Sequence, residues 1–196
     1  MEHYYTQKPQ SSHNIKNITF LINGIKLEFY TDAGVFSKTK VDYGSEILIQ
    51  SLPELSGRVL DLGCGYGAIG ISLAKLNTKA QIAMADINER AVELAVRNIE
   101  RNQIKNAYAF VSNGFKNIHD QFNAIVCNPP IRAGKKVIYT LFEQSKDFLV
   151  PGGCLFIVIQ KRQGAKSALE KLISIFGNCE VINKKGGYWI LKSIKT

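Results

Sequence analysis

Asn128-Pro129-Pro130-Ile131 directly follows the apolar run Phe122 to Cys127, so it sits where a strand ends and the chain must turn. The Asn128 carboxamide oxygen and the Pro129 carbonyl offer a substrate amine two hydrogen-bond acceptors, and the prolines remove two N–H donors from the same spot. Upstream, Asp61-Leu62-Gly63-Cys64-Gly65-Tyr66-Gly67 forms a second strand-end loop, whose glycines let backbone amides approach a ligand at the start of a helix. Together the two segments point to methylation of an amino nitrogen. Taken singly, Asn-Pro-Pro also describes a rigid turn, and a glycine loop also serves any tight strand-to-helix connection.

The acidic residues narrow the ligand. Asp61, just before the glycines, would repel a pyrophosphate, whereas it can order the loop or accept from an α-ammonium through water. S-adenosylmethionine carries such an ammonium and no phosphate. Asp86 closes the next apolar run, where a carboxylate can accept from both hydroxyls of a ribose; it can equally cap the helix starting near Ile87. Asn113, in Ser112-Asn113-Gly114, can touch an adenine ring or simply make a turn. Gly63, Asp86 and Asn113 fall on successive strand ends, which supports a shared ligand better than any one of them does.

These residues require a particular scaffold. Ile18–Ile22, Asn23-Gly24 and Ile25–Tyr30 read as a β-hairpin, because Asn-Gly suits a type I′ turn. Asp32 to Lys40 reads as a loop carrying Gly34-Val35-Phe36-Ser37, followed by a helix over Tyr43 to Leu52. Strand and helix patterns then alternate: strands at 58–62, 81–85, 107–111, 122–127 and 154–160, with helices at 68–76, 89–102, 137–149 and 164–176. Two further strands, 180–184 and 188–194, flank Gly186-Gly187 and predict a closing antiparallel hairpin. The expected fold is α/β: a doubly wound, Rossmann-like sheet of seven strands with a short N-terminal hairpin. Residues 1–40 form the tail, hairpin and loop, and 41–196 the catalytic domain. Ligands of such a sheet bind beyond the carboxyl ends of its strands, at the point where the winding reverses.

Composition excludes several classes. No apolar run approaches the roughly 20 residues that span a bilayer, and Met1 to Asn14 is polar, so a cytoplasmic protein is expected. Cys64, Cys127, Cys154 and Cys179 lack CxxC spacing, which predicts free, buried thiols and no metal. A net charge of +9 favours a polyanionic partner, with cations clustered at Arg132/Lys135/Lys136, Lys161/Arg162/Lys166 and Lys184/Lys185.

DLGCGYGAIG, the later Asp86 and NPPI occur in the order found in class I S-adenosylmethionine-dependent methyltransferases, which this chain resembles from about Arg58 to Ile194. With Gly34-Val35-Phe36-Ser37 and Asp42-Tyr43-Gly44-Ser45 added, the chain is similar to the ribosomal RNA small-subunit methyltransferase C family, guanine-N2 methyltransferases of 16S ribosomal RNA. The resemblance implies S-adenosyl-L-methionine as cofactor and ribosomal RNA or the small ribosomal subunit as partner. By position it makes Asp61, Gly63, Cys64, Gly65, Tyr66, Asp86, Ile87, Asn113 and Gly114 cofactor contacts. Asn128, Pro129, Pro130 and Ile131 become the catalytic segment. Phe36, Ser37, Arg132, Lys135 and Lys136 become substrate contacts, although packing of Phe36 and solvation of Arg132 are the ordinary alternatives.

Two departures from the family matter. The residue after Asn-Pro-Pro is usually aromatic and stacks on the target base, whereas Ile131 has no π-face, so stacking is expected from Phe36 or Tyr66. Familiar members also carry a second, degenerate domain ahead of this one; here the first core strand begins near Arg58, and a smaller docking surface is expected. No general base is assigned, since the nitrogen becomes acidic once alkylated, and His3, His13 and His119 lack a catalytic setting. Methylation of adenine N6 or a protein glutamine, a non-catalytic RNA-binding or assembly module, and a nicotinamide oxidoreductase remain alternatives.

Overall fold

The computed structural model describes residues 11–196; residues 1–10, with His3 and most of the expected N-terminal tail, lie outside that range. Strands β1 (Lys16–Ile22) and β2 (Ile25–Thr31) pair antiparallel around Asn23-Gly24. Both turn residues have positive φ, +49° and +77°, as a type I′ turn demands. Helix α1 (Tyr43–Ser51) follows, and then the alternating series β3 (Gly57–Leu62), α2 (Ala68–Leu76), β4 (Ala80–Asp86), α3 (Glu89–Arg101), β5 (Ala107–Val111) and β6 (Phe122–Cys127). The chain closes with α4 (Lys135–Asp147), β7 (Leu149–Gln160), α5 (Ala165–Phe176), β8 (Glu180–Lys185) and β9 (Tyr188–Ile194).

The main sheet has the order β5-β4-β3-β6-β7-β9-β8. Neighbours are parallel except at β9, which runs antiparallel to both β7 and β8. The expected seven-stranded sheet with its terminal hairpin is therefore present. Its central strands are buried on both sides, as near-continuous apolar runs such as Ile125-Val126-Cys127 require. Separate apolar clusters fill the two faces, one containing Phe29, Ile47 and Met84, the other Phe142, Leu172 and Phe176.

Differences from the sequence-based expectation have identifiable causes. β7 begins at Leu149, not at Cys154, because Leu149 pairs with Phe122 before the register shifts. The intervening Pro151-Gly152-Gly153 resembles a turn in sequence, yet Gly152 N and Gly153 O bond Lys195 at 2.7 and 2.9 Å. Helix α4 starts two residues early, capped by the backbone of Gly134. Two 3-10 turns, Ile131–Ala133 and Lys161–Gln163, were not expected. Cys64 and Cys127 are buried free thiols, but Cys154 and Cys179 are only half-buried, which corrects the expectation for those two.

The small hairpin is fastened by two asparagines of α3. Asn98 Oδ1 accepts from Tyr30 N at 2.7 Å, and its Nδ2 donates to Tyr30 O and to Tyr66 O at 3.0 and 2.9 Å. One turn on, Asn102 treats Glu28 N and O in the same way, at 3.0 and 2.8 Å. Four helical residues rise about 6 Å and two strand residues about 6.8 Å, so an i, i+4 pair can satisfy alternate residues of an exposed strand edge. Asn98 is fully buried. Asn98→Ala would orphan several buried backbone groups, at about 1–3 kcal/mol each. It should lower stability by roughly 3 kcal/mol, measurable as a shifted urea midpoint with unchanged m-value.

Candidate functional site

The winding reverses between β3 and β6: β3, β4 and β5 build the sheet one way, and β6 and β7 the other. Leu62 and Cys127, the last residues of β3 and β6, are register partners. The glycine loop and Asn128 therefore leave adjacent strand ends and border one cavity of about 370 Å³.

On the β3 side, Gly63 N and Cys64 N both donate to Ala85 O, at 2.8 and 3.0 Å, tying the loop to the end of β4. Gly65 has φ +57°, and its N–H donates to Asp86 Oδ2 at 2.8 Å. Asp86 Oδ1 accepts from Asn88 N at 2.9 Å. The helix cap is Asn88, whose side chain accepts from Ala91 N, so Asp86 is not the N-cap that the sequence left open. Burial raises the Asp86 carboxyl, while these amides hold it down. Gly70 is required by close approach, since a Cβ there would lie 2.3 Å from Met84 Sδ.

Asp61 lies beneath the loop, fully buried, with Oδ2 accepting from Gly70 N at 2.8 Å. It thus orders the loop, and its Oδ1 has no partner among the described residues. Asn113 and Gly114 line the far end of the cavity. Their turn is also held by Ser112, whose Oγ donates to Gly114 O at 2.8 Å and accepts from Asn117 N at 3.1 Å, so turn and lining roles coincide.

On the β6 side, Asn128 Nδ2 donates to Asp42 Oδ2 at 3.1 Å and to Ser45 Oγ at 2.9 Å. A carboxylate only accepts, so Asp42 fixes which way the amide faces and leaves Asn128 Oδ1 as the acceptor at the cavity. Asp42 is itself held as the N-cap of α1, accepting from Ser45 N. The Pro129 carbonyl has no donor among the described residues, whereas Pro130 O accepts from Ala133 N at 2.9 Å. Asp42 and Ser45 receive no role at the site from the sequence, although Asp42-Tyr43-Gly44-Ser45 carries part of the family resemblance. Their signal was the Asp-x-x-Ser spacing at a helix start, which by itself says only "cap".

The remaining expected residues divide by exposure. Phe36 lines the cavity and is 39% exposed, whereas Tyr66 is 3% exposed with its ring edge-on to Phe29 at 5.7 Å. Of the two rings expected to stack on a base, Phe36 is therefore the accessible one. Its loop is tethered by Asn88 Nδ2 to Gly34 O at 2.9 Å and by Arg90 Nη1 to Ala33 O at 2.8 Å. Ser37 borders the cavity too, its Oγ donating to Lys40 O at 2.6 Å. Cys64, Tyr66 and Ile87 line the glycine-loop side of the cavity. Ile131 sits half-buried in the 3-10 turn, while Arg132, Lys135 and Lys136 are exposed just outside the cavity. His13 bonds Asp32, away from these groups. No metal-binding cluster occurs among the described residues, and no described helix is long and apolar enough to cross a membrane.

Residues 26–192 match the family described as "Methyltransferase small domain". The chain belongs to this family. A relative from Bacillus subtilis (strain 168), named uncharacterized protein YbxB, is 48% identical over 99% of this chain and 98% of its own length. Ribosomal RNA small subunit methyltransferase C of Psychromonas ingrahamii is 34% identical over 92% of this chain, which spans 52% of that protein. A solved structure of the T. thermophilus 16S rRNA N2 G1207 methyltransferase, in complex with AdoMet and guanosine, superposes with TM-score 0.85 and 28% identity over 96% of this chain and 52% of that one. The chain thus spans about half the length of these two ribosomal RNA methyltransferases.

This member of the methyltransferase small domain family uses S-adenosyl-L-methionine, and the residues present fit it. The cavity is mainly apolar, with two carboxylates in its lining, Asp86 on the glycine-loop side and Asp42 beside Asn128, and an unsatisfied carboxylate oxygen, Asp61 Oδ1, behind the glycine loop.

Burial raises the Asp61 carboxyl from the ordinary 3.8 to about 7, with Gly70 N opposing and the neighbouring Asp86 charge adding to the rise. A carboxyl whose pKa is higher folded than unfolded stabilises the fold fully below the unfolded pKa, and that stability is lost as pH rises through the folded value. Cofactor-free protein should therefore lose stability between about pH 4 and pH 7, by an amount on the order of 4 kcal/mol from this group. Asp61→Asn should flatten that slope and exceed wild-type stability at pH 8, as read from urea midpoints at pH 5 and pH 8. A parallel slope in the variant would remove Asp61 as its origin.

Proposed function

We propose that this chain methylates the exocyclic N2 of a guanine in 16S ribosomal RNA, in the cytoplasm, with residues 41–196 as the catalytic domain and 1–40 as an extension of it. The observation that carries the reading is the locked Asn128 carboxamide: Nδ2 is committed to Asp42 and Ser45, so Oδ1 is available only as an acceptor. Together with the Pro129 carbonyl it suits the two hydrogens of an amino group. Relatives named for ribosomal RNA methylation, and a structural neighbour holding guanosine, support guanine over other amines.

When bound, S-adenosyl-L-methionine supplies a methyl group already activated by its sulfonium, so the protein's task is mainly to orient the nucleophile. Guanine's amino lone pair is delocalised into the ring. Acceptors on both hydrogens favour a more pyramidal and nucleophilic nitrogen, and Asn128 Oδ1 and Pro129 O are set to accept them. The prolines contribute stiffness and the absence of competing donors. Asp86 accepts the ribose hydroxyls, with its remaining lone pairs occupied by Gly65 N and Asn88 N. Asn113 and Gly114 border the adenine, and Asp61 favours the ammonium end. The target base has to leave its stack to reach this cavity, at a cost of a few kcal/mol, and Phe36 at the rim offers it a ring.

Lys135 and Lys136 occupy the first turn of α4, where the helix dipole disfavours cations by about 0.3–1 kcal/mol. A phosphate backbone at that rim offsets the penalty, and with exposed Arg132 beside them they are assigned to RNA. Lys135→Glu/Lys136→Glu should leave the melting temperature equal or higher while weakening RNA binding roughly ten-fold or more at moderate salt. Parallel losses of stability and binding would point to a structural role.

Tritiated methyl transfer into unmodified 16S RNA, naked and as assembled 30S subunits, followed by nucleoside analysis, tests the substrate. N2-methylguanosine is expected; label only in N6-methyladenosine or in protein would overturn the guanine reading, and no label in either would favour an assembly module. Asn128→Ala should lower kcat by about 10²-fold or more with S-adenosylhomocysteine affinity nearly unchanged. Equal loss of both would make Asn128 a cofactor or turn residue.

A further inference from the structure

A second, shallow concavity lies further along the carboxyl edge of the sheet, between the end of β7 and the β8–β9 turn. It is lined by Gln160, Lys161, Arg162, Gly186 and Gly187, all but Gln160 exposed. Lys161 N donates to Gly187 O at 2.7 Å, which fixes the two walls relative to each other. Among the described residues, neither the Lys161 nor the Arg162 side chain enters a salt bridge with a carboxylate.

Between this concavity and Asn128 stand two interlocked tyrosines. The Tyr43 and Tyr188 rings meet edge to face, with centroids 5.9 Å apart and planes at 78°. Each ring also lies against a glycine of the other's segment. A Cβ on Gly186 would fall 2.4 Å from Tyr43 Cε1, and one on Gly44 would fall 2.8 Å from Tyr188 Cε1. The Tyr43 ring is thus held rigidly while 40% of the residue stays exposed. The Arg162 charge reaches Tyr188, lowering its phenol against the rise from burial and Asp42. Tyr43 directly follows Asp42, the residue that orients Asn128 at 3.1 Å.

A fixed aromatic face next to the amine-holding residue, followed by a cationic concavity, places a stacking surface and backbone-binding charges in succession along one edge. Single-stranded nucleic acid binds to this combination of stacking surface and backbone-tracking cations. We propose that this edge is a flanking-nucleotide site for single-stranded RNA: Tyr43 stacks on a base next to the methylated one, and Lys161 and Arg162 hold the adjoining phosphate against the Gly186-Gly187 turn. The site rests on the RNA reading above and deepens it, because it supplies a second π-face, for the neighbouring base, and sets the direction in which the strand leaves the pocket.

Fluorescence anisotropy with a short single-stranded RNA oligonucleotide, together with methyl-transfer kinetics on 16S RNA, tests the site. Lys161→Glu/Arg162→Glu should raise Kd and KM for RNA at least ten-fold, with S-adenosylhomocysteine affinity unchanged as a control for folding. The slope of log Kd against log salt should fall by about 0.7 for each phosphate that the variant no longer neutralises. Tyr43→Leu should weaken RNA binding roughly ten-fold, whereas Tyr43→Phe should stay within about two-fold of wild type, since stacking needs only the ring. If the wild type methylates RNA and the charge-reversed variant shows the same KM and salt slope, this site is wrong and the guanine reading stands. If the wild type labels protein and not RNA, both fall.

Discussion

Two parallel strands lie side by side at the centre of this sheet, and the chain leaves them in opposite directions. Because β3 is followed by strands added on one flank and β6 by strands added on the other, no connecting helix can cover the space beyond Leu62 and Cys127. The gap is a consequence of topology. In the proposed reaction each loop bordering it takes one half: the glycine turn and Asp86 the donor, and Asn-Pro-Pro the acceptor. Neither loop could be moved to another strand end without losing its counterpart.

What surrounds that gap is mostly orientation. The Asn128 amide has two ways to face, and the choice is made by a carboxylate that also caps α1. The Asp86 carboxylate is held by amides from two different loops. In each case at least one of the groups fixing the side chain belongs to an element it does not come from, so the full geometry forms only when the tertiary structure does. A methyl transfer that depends on alignment more than on acid–base chemistry is well matched to such a site.

Much of this was legible in the sequence because it is written locally. The Asn-Gly turn, the alternation of strands and helices, the Gly186-Gly187 hairpin and both motif loops are read from neighbouring residues, and they fell where expected. Positions governed by distant partners were not legible. Pro151-Gly152-Gly153 looks like a turn until Lys195 is placed opposite it. At Asp86 the sequence leaves a ribose acceptor and a helix cap side by side, until Asn88 is seen to fill the cap. Tyr66 looks like a ring available for stacking until Phe29 covers it. Asp42 and Ser45 read as an ordinary helix start, since nothing nearby in sequence indicates that Asn128 will arrive there.

The asparagine clasp on α3 has a wider consequence. Asn98 joins three segments through one carboxamide: the hairpin at Tyr30, its own helix, and the glycine loop at the Tyr66 carbonyl. Opening the hairpin therefore disturbs the glycine loop, and whatever steadies that loop steadies the hairpin. A two-stranded ribbon that would be marginal alone is thereby coupled to the glycine loop through a shared carboxamide, so any ligand that steadies the loop would protect the neighbouring hairpin from fraying.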